Sequence, residues 1–339
     1  MASGVLFATG LDWQPNGVNF LPSNWTGGNV NQLNTSFRVG PFGKGMRVFD
    51  TTNGPYKTVT GGPYTHVVLQ FAFKMDTGVG GTNNWIEFLT NNATTIQFNM
   101  RVLSDGTIEA RRGSTVVASS AAGVVAAAST EYTIEIRLLV DDTVGEVEVL
   151  LDGVQVLVGT GLDTKDTAFV GCTGFRVQNP VNGWNMDDII FRDWSVISSF
   201  IGFHVVRPFM PDGAGDATDF TPSAGANWAA VDEVATDDDS TYVESATVGH
   251  KDLYNIATTG FTSASVLAVQ VHHIARKTDG VLREIRPLLK HGATELAGAT
   301  VALGTSYSRT SELFDDVPGG SGWTLAQVEA LQVGQEVVT

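Results

Sequence analysis

The chain has one cysteine in 339 residues, Cys172, so neither an intrachain disulfide nor a thiolate metal cluster can form. A small secreted scaffold held by disulfide staples is therefore excluded. No run of eighteen apolar residues occurs, and the Ala-rich stretch 119–129 is short and built of small side chains. The sequence thus predicts no membrane-spanning helix and no membrane partner. The opening Met-Ala-Ser-Gly-Val-Leu-Phe-Ala lacks a basic segment and a sustained apolar run, so no signal peptide is expected. Basic residues are scarce, 20 Lys and Arg against 36 Asp and Glu, for a formal net charge of −16. Binding to nucleic-acid phosphates needs a basic footprint, so nucleic acid is not an expected partner. Acidity aids solubility and names no partner by itself. Neither a Gly-Lys-Ser/Thr phosphate loop nor a Gly-x-Ser-x-Gly elbow appears, and no nucleophile has a visible base. No catalysis and no cofactor are expected.

What is present is the pattern of strands. Ile134, Ile136 and Leu138 alternate with Thr133, Glu135 and Arg137, and Val147 and Val149 alternate with Glu146 and Glu148. Side chains on an extended chain point alternately to opposite faces, so each run is a strand with one face to bury. Asp152-Gly153 tolerates the positive φ of a tight hairpin turn and returns the chain through Val154. Further strands are expected over 66–74, 84–89, 95–103, 107–112, 114–118 and 186–193. With 38 glycines and only 17% charged residues, the composition agrees with an all-β protein. The length suggests two domains, and the expected architecture is two β-sandwich (jelly-roll) domains in tandem, 1–200 and 201–339.

Residues 1–65 hold Phe7, Trp13, Phe20, Trp25, Phe37, Phe42 and Phe49 among Gly, Asn and Pro. These aromatics either fill the core of a loop-rich sandwich edge or line a sugar-stacking surface. In the second region, Val266 to Lys277 reads as a central strand apolar on both faces, with Arg283–Lys290 pairing to it across the Lys277-Thr-Asp-Gly280 turn. Thr324 can cap a short helix through Leu331, followed by a final strand over 333–339. His272 and His273 are adjacent on a strand, point oppositely and cannot share a metal, so surface or interface positions are expected for them. Asp141-Asp142, Asp187-Asp188 and Asp237-Asp238-Asp239 are candidate calcium donors. Calcium needs six to eight converging oxygens, and such doublets serve equally to solvate a loop. One of Asp187 and Asp188 is an alternative acceptor for backbone amides.

The order of these pieces carries a resemblance. A loop-rich aromatic start precedes Val-Leu-Gln-Phe-Ala-Phe, Asn-Met-Arg-Val-Leu-Ser-Asp-Gly-Thr-Ile and Tyr-Thr-Ile-Glu-Ile-Arg. Val-Glu-Val-Leu-Leu-Asp-Gly-Val and the closing Met186-Asp-Asp-Ile-Ile-Phe-Arg-Asp193 follow. Over 1–197 this resembles a concanavalin A-like (laminin-G-type) jelly roll, a family of lectins, glycosidases and non-binding spacers. The glucanases among them carry Glu-x-Asp-x-x-Glu, a spacing that Glu146-Val-Glu148-Val-Leu-Leu-Asp152 lacks, so hydrolysis is not implied. Over 205–339, Gly-Asp-x-Thr-Asp-Phe-Thr-Pro-Ser-Ala-Gly-Ala-Asn-Trp, Asp-Asp-Asp-Ser-Thr-Tyr-Val and Gly249-His-Lys-Asp-Leu-Tyr-Asn resemble a C-terminal domain of tailed-bacteriophage structural proteins. The same holds for Gly322-Trp-Thr-Leu-Ala-Gln-Val.

That second resemblance implies a non-enzymatic virion component whose partners are other virion proteins. Two readings stay open. In one, the lectin-like domain binds a host-surface glycan at a tail tip, fibre or spike, and the protein is an oligomer, a trimer being usual in fibres. Its stacking platform would come from Trp13, Trp25, Trp85 or Trp184, with Trp184 and its loop neighbours Asn182 and Asn185 preferred. In the other, the chain is a capsid decoration or head spike with a purely architectural role. No heptad or collagen-like stalk is present, so a complete long fibre is not expected.

Overall fold

The computed structural model describes residues 4–10, 25–28, 32–34 (backbone only), 45–76, 78–91, 95–126, 130–180, 183–196, 198–202, 204–233 and 237–339. Trp13, Phe20, Phe37, Phe42 and Asn182 lie outside them. The chain is nearly all β and divides into two compact units, Gly4–Arg207 and Pro208–Thr339.

The first unit is a sandwich of two antiparallel sheets. An eight-stranded sheet runs in the order Val154–Leu162, Gly145–Leu151, Glu131–Leu139, His66–Met75, Trp184–Asp193, Gly45–Val48, Gln32–Asn34, with Val5–Thr9 also paired to Trp184–Asp193. A six-stranded sheet runs Tyr56–Thr58, Gly174–Val177, Ile86–Thr90, Thr95–Val102, Ile108–Arg112, Thr115–Ser119. The alternation that predicts the strands also sets the register. Ile136 lies opposite Leu69 on one side and Val149 on the other, and all three are fully buried. On the facing sheet Phe175, Phe88 and Phe98 form a matching buried row. Each such side chain contributes on the order of 1.5–3 kcal/mol through its removal from water. The Asp152-Gly153 turn forms as expected, with φ of 51° and 77°.

The second unit holds a six-stranded sheet in the order Pro211–Thr218, Lys251–Ile256, Leu331–Val337, Glu284–His291, Thr294–Ala297, with Val301–Ala302 also on Glu284–His291. Val269–Ala275 pairs instead with Ser308–Phe314 in a separate two-stranded sheet. This corrects the sequence expectation for both strands. Glu284–His291 does not return beside Val269–Ala275 but lies against the C-terminal strand, with Leu289 opposite Val333. The local turn signal at 277–280 could not reveal a partner 44 residues further along. The expected central strand is also broken after Val266, with Ser265–Val266 pairing to Trp323–Thr324. Thr324 caps Leu325–Glu329 through a reciprocal capping box with Gln327, Thr324 N donating to Gln327 Oε1 at 2.8 Å. The helix ends two residues earlier than expected, because Leu331 already belongs to the final strand.

Candidate functional site

The preferred platform does not exist as one. Trp184 and Trp85 are fully buried, their rings 5.6 Å apart beside Phe71 and Phe73 in the sandwich core. Trp184 Nε1 donates to Gln178 O at 2.8 Å, so even its polar edge is turned inward. Trp25 is 6% exposed and packs edge-on to Phe7 and Phe175. Asn185 is buried and donates to Asp76. The Gly/Asn setting of Trp184 suggested an exposed loop. The strand instead begins at Trp184 itself, and the ring takes a core position.

The acidic doublets are likewise committed elsewhere. Asp141 Oδ1 accepts from the amides of Thr143 and Val144, which holds its carboxyl below the usual range. Asp142 pairs with Lys165, Asp237 accepts from Thr241, and Asp239 holds Arg276 and Tyr307. Asp188 accepts the amide of Val206 at 2.8 Å, the alternative named for that pair. Among the described residues no three His, Cys, Asp or Glu converge as a metal would require. His272 and His273 are half-buried and have different partners, Ser311 Oγ at 2.7 Å and Gly334 O at 3.0 Å. Burial pushes their pKa values down to about 3 and about 4; the Arg309 charge adds to the first, and the Gly334 contact opposes the second.

What the first unit does present is two polar outer faces, one on each sheet. On the eight-stranded sheet the face carries Gln70, Glu135, Arg137, Asp188 and Arg192, and residues 198–202 and 204–206 lie over it. Glu135 accepts the amides of Ile201 and Gly202 at 2.6 and 3.0 Å, and Gln70 Nε2 donates to His204 O at 2.9 Å. Arg137 and Arg192 donate to the carbonyls of Ser198 and Ser199. Desolvation raises the Glu135 carboxyl, with the two amides and Arg192 opposing it.

On the six-stranded sheet the outward positions alternate with the Phe175–Phe88–Phe98 row. They form a cross-strand line of Tyr56, Arg176, Glu87, Asn99 and Arg111. One end of this face opens as a cleft of about 270 Å³ lined by Thr51, Thr52, Thr82, Asn83, Asn84, Glu87, Arg101 and Gln178. Its walls are two loops drawn tight by glycine. A Cβ on Gly54 would stand 2.0 Å from Val177 O, and one on Gly80 would stand 1.9 Å from Val102 O. Asp50 Oδ1 shapes the first wall by accepting the amides of Thr52 and Asn53 at 2.8 and 2.6 Å.

In the cleft Glu87 is 1% exposed and fully engaged, with Asn84 Nδ2 on Oε1 at 2.6 Å and Arg176 on Oε2 at 3.1 Å. Arg101 Nε donates to Asn84 Oδ1 at 3.1 Å, which makes Asn84 the link between cation and carboxylate. Gln178, 3% exposed, has an Oε1 without a partner among the described residues. The lining therefore offers hydroxyls, amides and one guanidinium, the groups that meet a polyhydroxylated ligand. Sequence reasoning placed the strands 84–89 and 95–103 but did not single out Asn84, Glu87, Arg101 or Gln178. The available signal was the outward side of these strands, where Glu87, Asn99 and Arg101 alternate with Ile86, Phe88, Phe98 and Met100.

No family model matches the chain, and no curated protein matches it. Among solved structures it is similar to the cellulose-induced protein Cip1, at 18% identity over 54% of this chain and 91% of that one, with a TM-score of 0.37. It is similar to the carbohydrate-binding module CBM66 from Bacillus subtilis, at 14% identity over 51% and 99%, with a TM-score of 0.33. The sialidase of Trypanosoma rangeli gives 12% identity over 55% of this chain and 33% of its own, with a TM-score of 0.35. Likeness at this level concerns the path of the chain and carries no residue across.

Proposed function

We propose that the first unit is a non-catalytic carbohydrate-binding module and that the open cleft on its six-stranded sheet holds the glycan. The observation that carries this reading is a polar recess that the described residues leave open, on a sheet whose counterpart face is covered by residues 198–202 and 204–206. Asn83, Asn84, Gln178 and the Thr51, Thr52 and Thr82 hydroxyls supply donors and acceptors for sugar hydroxyls, while Arg101 supplies charge-assisted bonds. The lining supports a reading of binding rather than hydrolysis. Glycoside hydrolysis generally uses a pair of carboxyl groups, and here Glu87 stands alone, bound by Asn84 and Arg176. Screening the full chain on a glycan array, with Asn84→Ala beside the parent, tests the reading. Selective binding that Asn84→Ala weakens at least tenfold is expected; no binding to any glycan would overturn it.

The setting we propose is a tailed-phage virion, with the chain as an oligomeric (trimeric) tail-tip, fibre or spike component that meets host glycans. The support is the motif resemblance over 205–339. Electron cryo-microscopy of the intact particle, with the copy number at each position, tests it. Density in threes or sixes at the tail tip is expected. Copies spread over the head would support the architectural reading, which draws on the exposed Val154 and Val158 of the edge strand Val154–Leu162.

A further inference from the structure

The charge of the open face runs against that of the chain. Its two carboxylates are matched by guanidinium groups: Glu87 with Arg176 at 3.1 Å and Glu109 with Arg111 at 2.7 Å. Arg101 has only a neutral partner. Its Nε is on Asn84, and its terminal nitrogens have no protein partner among the described residues. Glu109 is its cross-strand neighbour but is already held by Arg111, whose own charge repels Arg101. On the strand face Arg101, Arg111 and Arg176 stand against Glu87 and Glu109, three cations to two carboxylates, in a protein of net charge −16. Asp50, in the adjoining wall, turns Oδ1 into the amides of Thr52 and Asn53.

Resting on the carbohydrate-binding reading above, we infer that the cleft selects an acidic sugar, a single residue bearing one carboxylate that pairs with the terminal nitrogens of Arg101. The guanidinium fork matches a carboxylate in a planar, two-bond geometry, and Asn84 holds its Nε edge so that the other edge is presented. The recess, about 270 Å³, lies just under the usual small-molecule pocket and suits one sugar ring. The two paired carboxylates of this face carry no charge to spare, and the net charge of the chain disfavours anions elsewhere on its surface.

The test is a glycan array carrying uronate- and sialate-bearing glycans beside the same glycans as neutral methyl esters, probed with the full chain, Arg101→Gln and Arg101→Lys. The parent is expected to bind at least one acidic glycan tenfold or more above its ester, with the preference shrinking as salt rises. Arg101→Gln should abolish that preference, with acid and ester bound alike and no more tightly than the parent binds the ester, and Arg101→Lys should keep part of it, which separates lost charge from lost folding. Equal binding of acid and ester by the parent would overturn the acidic-sugar inference and leave the carbohydrate reading standing. Binding to no glycan of either kind would overturn both. A preference that survives Arg101→Gln would overturn the role of Arg101.

Discussion

Both sheets of the first unit carry amides, carboxylates and guanidinium groups on their outward sides; among the described residues the chain covers the eight-stranded face with its segment after Asp193. It covers the six-stranded face at Gln97, where Thr167 and Phe169 bond the side chain, but leaves the cleft end open. On the eight-stranded face Gln70, Glu135, Arg137, Asp188 and Arg192 each bond the backbone of 198–202 or 204–206. Buried polar groups are stable when hydrogen-bonded, and the covering segment gains the same benefit for its own amides and carbonyls. On the six-stranded sheet no segment among the described residues repeats this role over the cleft end. Gln70 and Gln178 are both buried, each with an Oε1 that has no partner among the described residues. The same residue types thus serve closure on one face and remain available on the other. Polar composition alone does not mark a binding site.

The largest effect expected from breaking this arrangement lies beneath both faces. Trp184→Ala should lower stability by about 3–5 kcal/mol, read as a shifted urea midpoint, because it empties a core site. A change under about 0.5 kcal/mol would mean that the ring stands on the surface after all. Next comes the covered face. Glu135→Leu leaves the amides of Ile201 and Gly202 without their acceptor, each a loss of roughly 1–3 kcal/mol. Hydrogen exchange over 198–206 should rise sharply while the cleft residues stay protected.

A third effect contrasts the units by pH. His272 and His273 have folded pKa values of about 3 and about 4, below the ordinary value of about 6.5, so the unfolded chain takes up protons first. Their contribution is fully present above about pH 6.5 and is lost as pH falls toward 4 and then 3. The raised Glu135 carboxyl works oppositely, its contribution present at low pH and lost as pH rises through the raised value. Acidification should therefore loosen Pro208–Thr339 before Gly4–Arg207, seen as earlier hydrogen exchange in the second unit, and His273→Gln should flatten that response. The smallest structural effect belongs to the open face. Arg101→Gln should change stability by no more than about 0.5 kcal/mol while removing the acidic preference, a separation that a structural arginine would not allow.

Much of this architecture was legible in the residues. Alternation around Ile134–Leu138 and Val147–Val149, the Asp152-Gly153 turn and the Thr324 cap are local devices, and local physics fixed them. Pairing partners in the second unit were not legible, because Glu284–His291 answers to a strand at the far end of the chain rather than to the turn before it. Nor was the environment of Trp184. A tryptophan between Gly183 and Asn185 reads as exposed, and only the strand that starts there turns the ring into the core. The cleft was the hardest to foresee. It draws on residues 51–52, 82–87, 101 and 178, which no sequence spacing brings together. The polar residues of 198–206 and its underlying face show why: a buried Glu135 and a buried Glu87 look alike along a strand until the covering segment is seen.

The most direct test of the central claim is amide hydrogen exchange of the full chain with and without the glycan it binds most strongly on the array. Binding at the open face is expected to add protection over 82–87, 99–103 and 176–179, with 198–206 and the second unit unchanged. Protection confined to Pro208–Thr339 or to the covered face would contradict the assignment of the site, and the open cleft would then be a surface recess without a ligand.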